Sequence, residues 1–313
     1  MTTTPGRTRG ISGLVFAGLT AAVSGVSVFV NSYGVHSVTS PAVYTTGKNF
    51  FAAILLLAFV VIAKASHLFV QPAQLEARRS LTGASRLLAF AYVAIIGGGV
   101  AFVMFFDGLA RTSAVPAAFL HDTLVVWVAL LAWRGLGEHV SRWNLVAIML
   151  LVVGLVASSG GVGSLVANSG NALVLGATVL WGIETVIIKR LLAGVDPGSL
   201  GVVRMGGGLT VLAAYLAITG QLGALFHLDA HALGWVVLTG VLLGAYVATW
   251  MLALRRARAV DVTSILVSSA LITAVLQAVV QHKDLAAQSW GLALVAIGTL
   301  TAAVAARRRT AYA

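Results

Sequence analysis

The chain has no cysteine, and only nine of its 313 residues are Asp or Glu. Without cysteine there is neither a disulfide framework nor a thiolate metal site, and the redox compartment leaves no trace. Charged residues make up 9% of the chain, against about 25% in ordinary soluble domains, too few to give a soluble fold a polar exterior. Motifs are missing too. No GxxxxGK[ST] loop occurs, so the chain does not hydrolyse ATP itself. HExxH, a His-rich metal cluster, a Ser-His-Asp set and a di-acidic motif are absent, which weakens the case for a membrane-embedded enzyme. Neither cofactor nor metal is expected.

What is present is apolar. Hydrophobic residues reach 59%, and 34 glycines suit helices that pack through small residues in a membrane. The net charge of +11 is spread in short clusters between apolar runs. Nucleic-acid binding would need a basic face on a soluble fold, so these clusters point to membrane topology and no nucleic-acid partner.

A membrane span needs about 20 mostly apolar residues. Ten such stretches occur: 11–33, 41–63, 87–108, 113–133, 143–160, 171–190, 197–219, 232–253, 259–280 and 288–306. Their length suits helices, being about twice that of a barrel strand. The longest connector, Lys64 to Arg86, is too short for a soluble catalytic domain. With the N-terminus in the cytoplasm, 16 of the 20 Lys and Arg fall on inner segments. Only Arg111 and Lys283 fall outside, and Lys48 and Arg204 lie within spans. This positive-inside bias puts both termini in the cytoplasm, as for a multi-pass protein of the cell membrane. The first span is too long for a signal peptide and lacks a small-x-small cleavage site.

The halves resemble each other. SPAVYTTGK (Ser40 to Lys48) matches DPGSLGVVR (Asp196 to Arg204), pairing Pro41 with Pro197 and Lys48 with Arg204 at a separation of 156. LARTSAV (Leu109 to Val115) matches LRRARAV (Leu254 to Val260) at a separation of 145. Five spans is an odd number, so the second copy lies inverted in the bilayer. The expected fold is an all-α integral membrane protein, ten transmembrane helices as two inverted five-helix repeats at 1–160 and 165–313. Such repeats are the usual construction of secondary transporters, with the substrate site between the copies near mid-membrane.

The order and spacing of several segments carry a family resemblance. These are GLARTSAVPAAF, LGEHVSRWNLVAIMLLVVGLV, GNALVLGATVLWGIETVIIKRL and MLALRRARAVDVTSILVSS. Together they resemble the EamA-type, ten-helix members of the drug/metabolite transporter superfamily over nearly the whole chain. The resemblance implies gradient-driven movement of small metabolites, commonly amino acids or drugs, usually outward. Three features depart from the pattern. Gly25 stands where the second copy has Trp181, His139 follows Glu138 where arginine is usual, and QHKDLAA replaces the second Gly-Glu motif.

The polar residues inside the spans are the candidate site. A carboxylate in mid-membrane costs about 2.5–3.5 kcal/mol on insertion scales. Asp122, with His121 beside it, is too deep in its span to reach water. It either lines a central cavity or is a buried group satisfied by Lys48 or a hydroxyl. At a separation of 145 the pair corresponds to apolar Leu266 and Val267, so it is not a duplicated scaffold. Asp122 is expected to carry protons or bind a substrate amine, with His121 as relay. Glu184, one turn from Trp181, is also unduplicated, its counterpart being Val28; it either serves the site or pairs with Lys189 or Arg190. Lys48 and Arg204, about 10 Å deep at 1.5 Å per residue, either bind a carboxylate or phosphate or snorkel to the interface. Asn31, Asn49 and Gln277 either line the path or make interhelical hydrogen bonds. The GGG runs at 97–99 and 206–208 are read as close-packing or hinge sites.

The leading expectation is a transporter of amino-bearing metabolites by alternating access, its partners being the bilayer and a small molecule, as a monomer or homodimer. Anionic metabolites such as sugar phosphates are the alternative within transport. A lipid flippase or membrane scaffold is the alternative outside it.

Overall fold

The computed structural model describes residues 5–65, 81–112, 114–158, 168–282 and 284–312, with the side chains of 5–11, 63–65, 114–115, 158, 287 and 310–312 left aside. Arg78 and Arg79 of the longest connector, Lys283, and the end of the fifth span at 159–160 lie outside the described residues.

The described residues are helical, with no strand among them. In chain order they form α1 (Pro5–Gly34), α2 (Pro41–Ala65), α3 (Gly83–Ala110), α4 (Ala114–Asp122), α5 (Leu124–Leu136) and α6 (Arg142–Ser158). The second half follows with α7 (Ser169–Leu191), α8 (Pro197–Ile218), α9 (Ala230–Arg256), α10 (Ala259–Leu266), α11 (Ser269–Gln281) and α12 (Ser289–Tyr312). Among the described residues nine stretches are long and apolar enough to cross a membrane, and Arg142–Ala157 is a shorter tenth. All ten expected spans are therefore helical among the described residues, though α1 and α3 begin earlier than the apolar runs that mark them. Helix ends are set by caps rather than by the last apolar residue. Asn168, Asp196 and Asp229 accept from the backbone N–H of Gly170, Ser199 and Ala232 at 2.7–2.8 Å and so start α7, α8 and α9. Gly137, at φ 65°, ends α5 in the left-handed region.

Two spans are locally distorted, although the backbone at each distortion stays in the right-handed helical region. The fourth breaks at Thr123 between α4 and α5, and the ninth breaks at Val267 and Ser268 between α10 and α11. Neither break has a proline or glycine. At each, a hydroxyl donates back to a carbonyl three residues earlier: Thr123 to Leu120 at 2.6 Å and Ser268 to Ile265 at 2.8 Å. Thr123 and Ser268 are repeat equivalents at the separation of 145. The third span carries a different irregularity, a π-helical middle at Tyr92–Val100 that includes Gly97, Gly98 and Gly99.

Packing repeats the symmetry. α1 packs on α9 as α7 packs on α3, α2 on α9 as α8 on α3, and α11 on α1 as α5 on α7. α2 meets α8, and α6 meets α12, across the pseudo-two-fold axis. Each contact thus reappears when the two halves are exchanged, as inverted repeats require. The α3–α8 crossing is very close. A Cβ on Gly98 would overlap the Arg204 carbonyl, and one on Gly208 would overlap the Gly98 backbone. Outward-facing Leu87, Leu88, Ile62 and Leu300 are more than half exposed and meet lipid, while exposed Trp133, Trp143 and Trp290 lie near span ends, where an aromatic belt forms.

Candidate functional site

A cavity of about 80 Å³ lies where the two halves meet, walled by α1–α5 of the first half and α7–α9 of the second. That is smaller than the roughly 150 Å³ cavity that takes a benzene ring, so an aromatic solute enters only if the wall side chains shift outward. Aromatic rings dominate the wall: Phe102, Phe105 and Phe106 from α3, Trp181 from α7, and Tyr246 and Trp250 from α9. Phe102, Phe105, Trp181 and His121 stack edge-on or tilted on one another at 5.2–5.6 Å between centroids. Two cations reach the wall, Lys48 from α2 and Arg204 from α8. They occupy equivalent places in the two repeats, but their surroundings differ.

Arg204 is ion-paired. Its Nε and Nη2 donate to the two carboxylate oxygens of Glu184 at 2.8 and 2.9 Å, a bidentate fork. Nη2 also reaches the Gly97 carbonyl at 3.4 Å, and the guanidinium lies over Phe102 and Trp250. The missing side chain of Gly97 makes room for that carboxylate, since a Cβ there would overlap it. Trp181 is fixed alongside, its Nε1 donating to the Gly97 carbonyl at 3.0 Å. Glu184 therefore pairs with Arg204. The alternatives Lys189 and Arg190 bind backbone carbonyls instead, Lys189 those of Leu254 and Ala257 and Arg190 that of Gly135.

Lys48 has neutral company. Its Nζ donates to Asn31 Oδ1 at 2.7 Å and sits 4.0 Å above the centre of the Phe106 ring. Tyr44 donates to the same Asn31 oxygen at 2.6 Å, and Asn31 Nδ2 donates to the carbonyl and hydroxyl of Ser27. Asn31 is thereby a cavity-lining residue whose oxygen orients the ammonium.

Asp122 sits behind the wall, not on it. Ser269, the first residue of α11, donates to its carboxylate at 3.1 Å, so the acid at one break is tied to the far side of the other. Of the two satisfiers considered for Asp122, the hydroxyl is present and Lys48 is not. His121 faces the cavity, with Nδ1 3.9 Å from Asp122 and no hydrogen-bond partner among the described residues. Asn49 lies outside the cavity wall and donates to the Gly98 carbonyl at 3.3 Å. Gln277 is buried in α11, also off the wall. The structure thus brings Lys48, Asn31, His121, Trp181 and Arg204 to one space, backs it with Glu184 and Asp122, and leaves Asn49 and Gln277 apart. The aromatic wall went unread in the sequence, although Phe102, Phe105 and Phe106 stand at the spacing of one helical face. Among the described residues no three His, Asp or Glu converge as metal ligands.

Polar contacts join helices at both ends of the bundle. At one, Glu138 accepts from the N–H groups of Ala259 and Val260 at the start of α10, and Arg309 pairs with Asp261 beside Asn144. At the other, Thr112 donates to Asn171 and Asn168 to the Arg111 carbonyl.

An all-α membrane protein built as two inverted five-helix repeats around a central cavity has the construction of many small-molecule transporters. The EamA-like transporter family matches residues 11–160 and again 168–304, and this chain is a member of it. A solved crystal structure with 15% identity superposes with a TM-score of 0.66 over 98% of this chain and 99% of its own, and so shares the fold. No curated protein matches the chain.

Proposed function

We propose that this chain is a secondary carrier that moves a small solute through the central cavity by alternating access, in a cell membrane with both termini cytoplasmic. The carrying observation is the pair of breaks. α4–α5 and α10–α11 break at equivalent positions, and the Asp122–Ser269 hydrogen bond joins the breaks beside the cavity. Distortions at equivalent places in inverted repeats are points where the helices can bend, and rocking one repeat against the other exposes a fixed site to each side in turn. The contacts of Glu138 with α10 and of Thr112 with Asn171 are the latches that open alternately. Asp122, screened from the cavity by His121, is the coupling acid: a proton received through His121 weakens its hold on Ser269 and frees the two breaks to move. The orientation rests on the 16 basic residues of the inner segments.

The test is reconstitution into vesicles holding a trapped pH dye, challenged with carboxylates, amines, amino acids and sugar phosphates. At least one class is expected to enter saturably with proton movement, and Asp122→Asn is expected to uncouple the two while folding normally. Uptake no faster than in empty vesicles for every class would overturn the carrier reading.

A further inference from the structure

The two repeats differ at one position on the cavity wall. In the second repeat Arg204 on α8 is neutralised by Glu184 on α7. The equivalent cation of the first repeat, Lys48 on α2, is 2% exposed and has no carboxylate within ion-pair distance among the described residues. The position equivalent to Glu184 is Val28 on α1, and Val28 lines the cavity together with Lys48. Burying an ammonium is costly without a counter-charge, and an amide oxygen with two aromatic faces supplies none. An ammonium has three donors, and Asn31 Oδ1 engages one of them.

We propose that the cavity binds a small monocarboxylate with a flat apolar body and no ammonium group, its carboxylate paired with Lys48 beside Val28. In the second repeat the protein's own Glu184 takes that role; in the first, the ligand does. The body lies against Phe102, Phe105, Phe106 and Trp181, where stacking rather than hydrogen bonding holds it. An amine finds no acceptor of charge on the wall, because Glu184 is spent on Arg204 and Asp122 faces Ser269 and His121. A polyhydroxylated sugar phosphate would turn most of its hydroxyls against rings, with only Ser24, Ser27, Thr185 and Tyr246 to meet the rest. This inference deepens the carrier reading and rests on it for the fate of the bound acid.

The experiment compares 3-phenylpropionate, L-phenylalanine and 2-phenylethylamine, which share a ring and chain and differ in charge. Equilibrium binding to purified protein is read from Trp fluorescence. Wild type is expected to rank phenylpropionate at least tenfold above phenylalanine, with no saturable binding of the amine. Val28→Glu places a carboxylate beside Lys48 and should reduce phenylpropionate binding at least tenfold, while the uncharged Val28→Gln should retain most of it. Lys48→Arg should bind and Lys48→Met should not. Tighter binding of the amine or zwitterion in wild type, which needs no variant to fold, would overturn the proposal, as would equal loss in Val28→Glu and Val28→Gln. Exchange of phenylpropionate across reconstituted vesicles is measured separately. Lys48-dependent binding without exchange would overturn the carrier reading alone, and saturable uptake of an amine without phenylpropionate binding would overturn this one alone.

Discussion

Replacing Glu184 with glutamine removes one charge from a pair that has almost no access to solvent. The side chains of Arg204 and Glu184 are 4% and 0% exposed, so bulk solvent does not take over. The pair makes two charge-assisted hydrogen bonds at 2.8 and 2.9 Å, each worth about 1.5–3 kcal/mol. The substituted amide would keep one acceptor oxygen and lose the charge, leaving a guanidinium held by the Gly97 carbonyl and two rings. Breaking a buried pair at one partner costs about 3–5 kcal/mol, and we expect Glu184→Gln to lose stability in that range. Removing both charges is a different perturbation. Glu184→Gln combined with Arg204→Met leaves no unpaired charge and should recover at least half of the loss, so the coupling energy exceeds the cost of Arg204→Met alone by about 1.5 kcal/mol or more. Chemical unfolding of the purified protein in detergent, for wild type, both single variants and the double, measures all the terms. A loss below about 1 kcal/mol in the single, or a double variant as unstable as the sum of the singles, would refute the reasoning.

Three further outcomes are expected. Gly208→Ala, whose Cβ would overlap the Gly98 backbone, should destabilise the α3–α8 crossing and lower yield and melting temperature far more than Gly206→Ala, which meets nothing within 4 Å. Asp122→Asn keeps an acceptor for the Ser269 hydroxyl, so its unfolding should stay within about 1 kcal/mol of wild type while pH-gradient-driven uptake is lost. Reporter fusions after Ala313 and within 71–80 should read cytoplasmic, and fusions within 161–170 external; an external C-terminus would contradict the proposed orientation.

The spans, their number and the repeat were legible in the sequence, because a bilayer demands long apolar runs and because Pro41/Lys48 and Pro197/Arg204 kept their spacing. The breaks were not. Breaks are sought at proline and glycine, whereas these fall at Thr123 and Ser268, whose hydroxyls turn back on carbonyls within otherwise apolar helices. Site residues were legible as types and not as partners. Glu184 could be read as unduplicated, but that it faces Arg204 depends on how α7 and α8 rotate against each other, which packing at Gly97 and Gly98 decides. Asp122 was the most conspicuous acid and Lys48 a less conspicuous cation. Yet Lys48 is on the cavity wall and Asp122 is behind it, since adjacent faces of one broken helix gave the open side to His121.

Because the chain has no native cysteine, one introduced thiol can report on the cavity without background. Ser27→Cys puts it on the cavity wall, beside the amide that orients Lys48. Sealed vesicles of known orientation are treated with a membrane-impermeant maleimide added to one side only, then to the other. Alternating access predicts labelling from both sides, each slowed when the opposite-facing state is locked, for instance by a cross-link between cysteines replacing Asn144 and Asp261, which touch in this structure. Labelling from one side only, unchanged by that lock, would contradict the account.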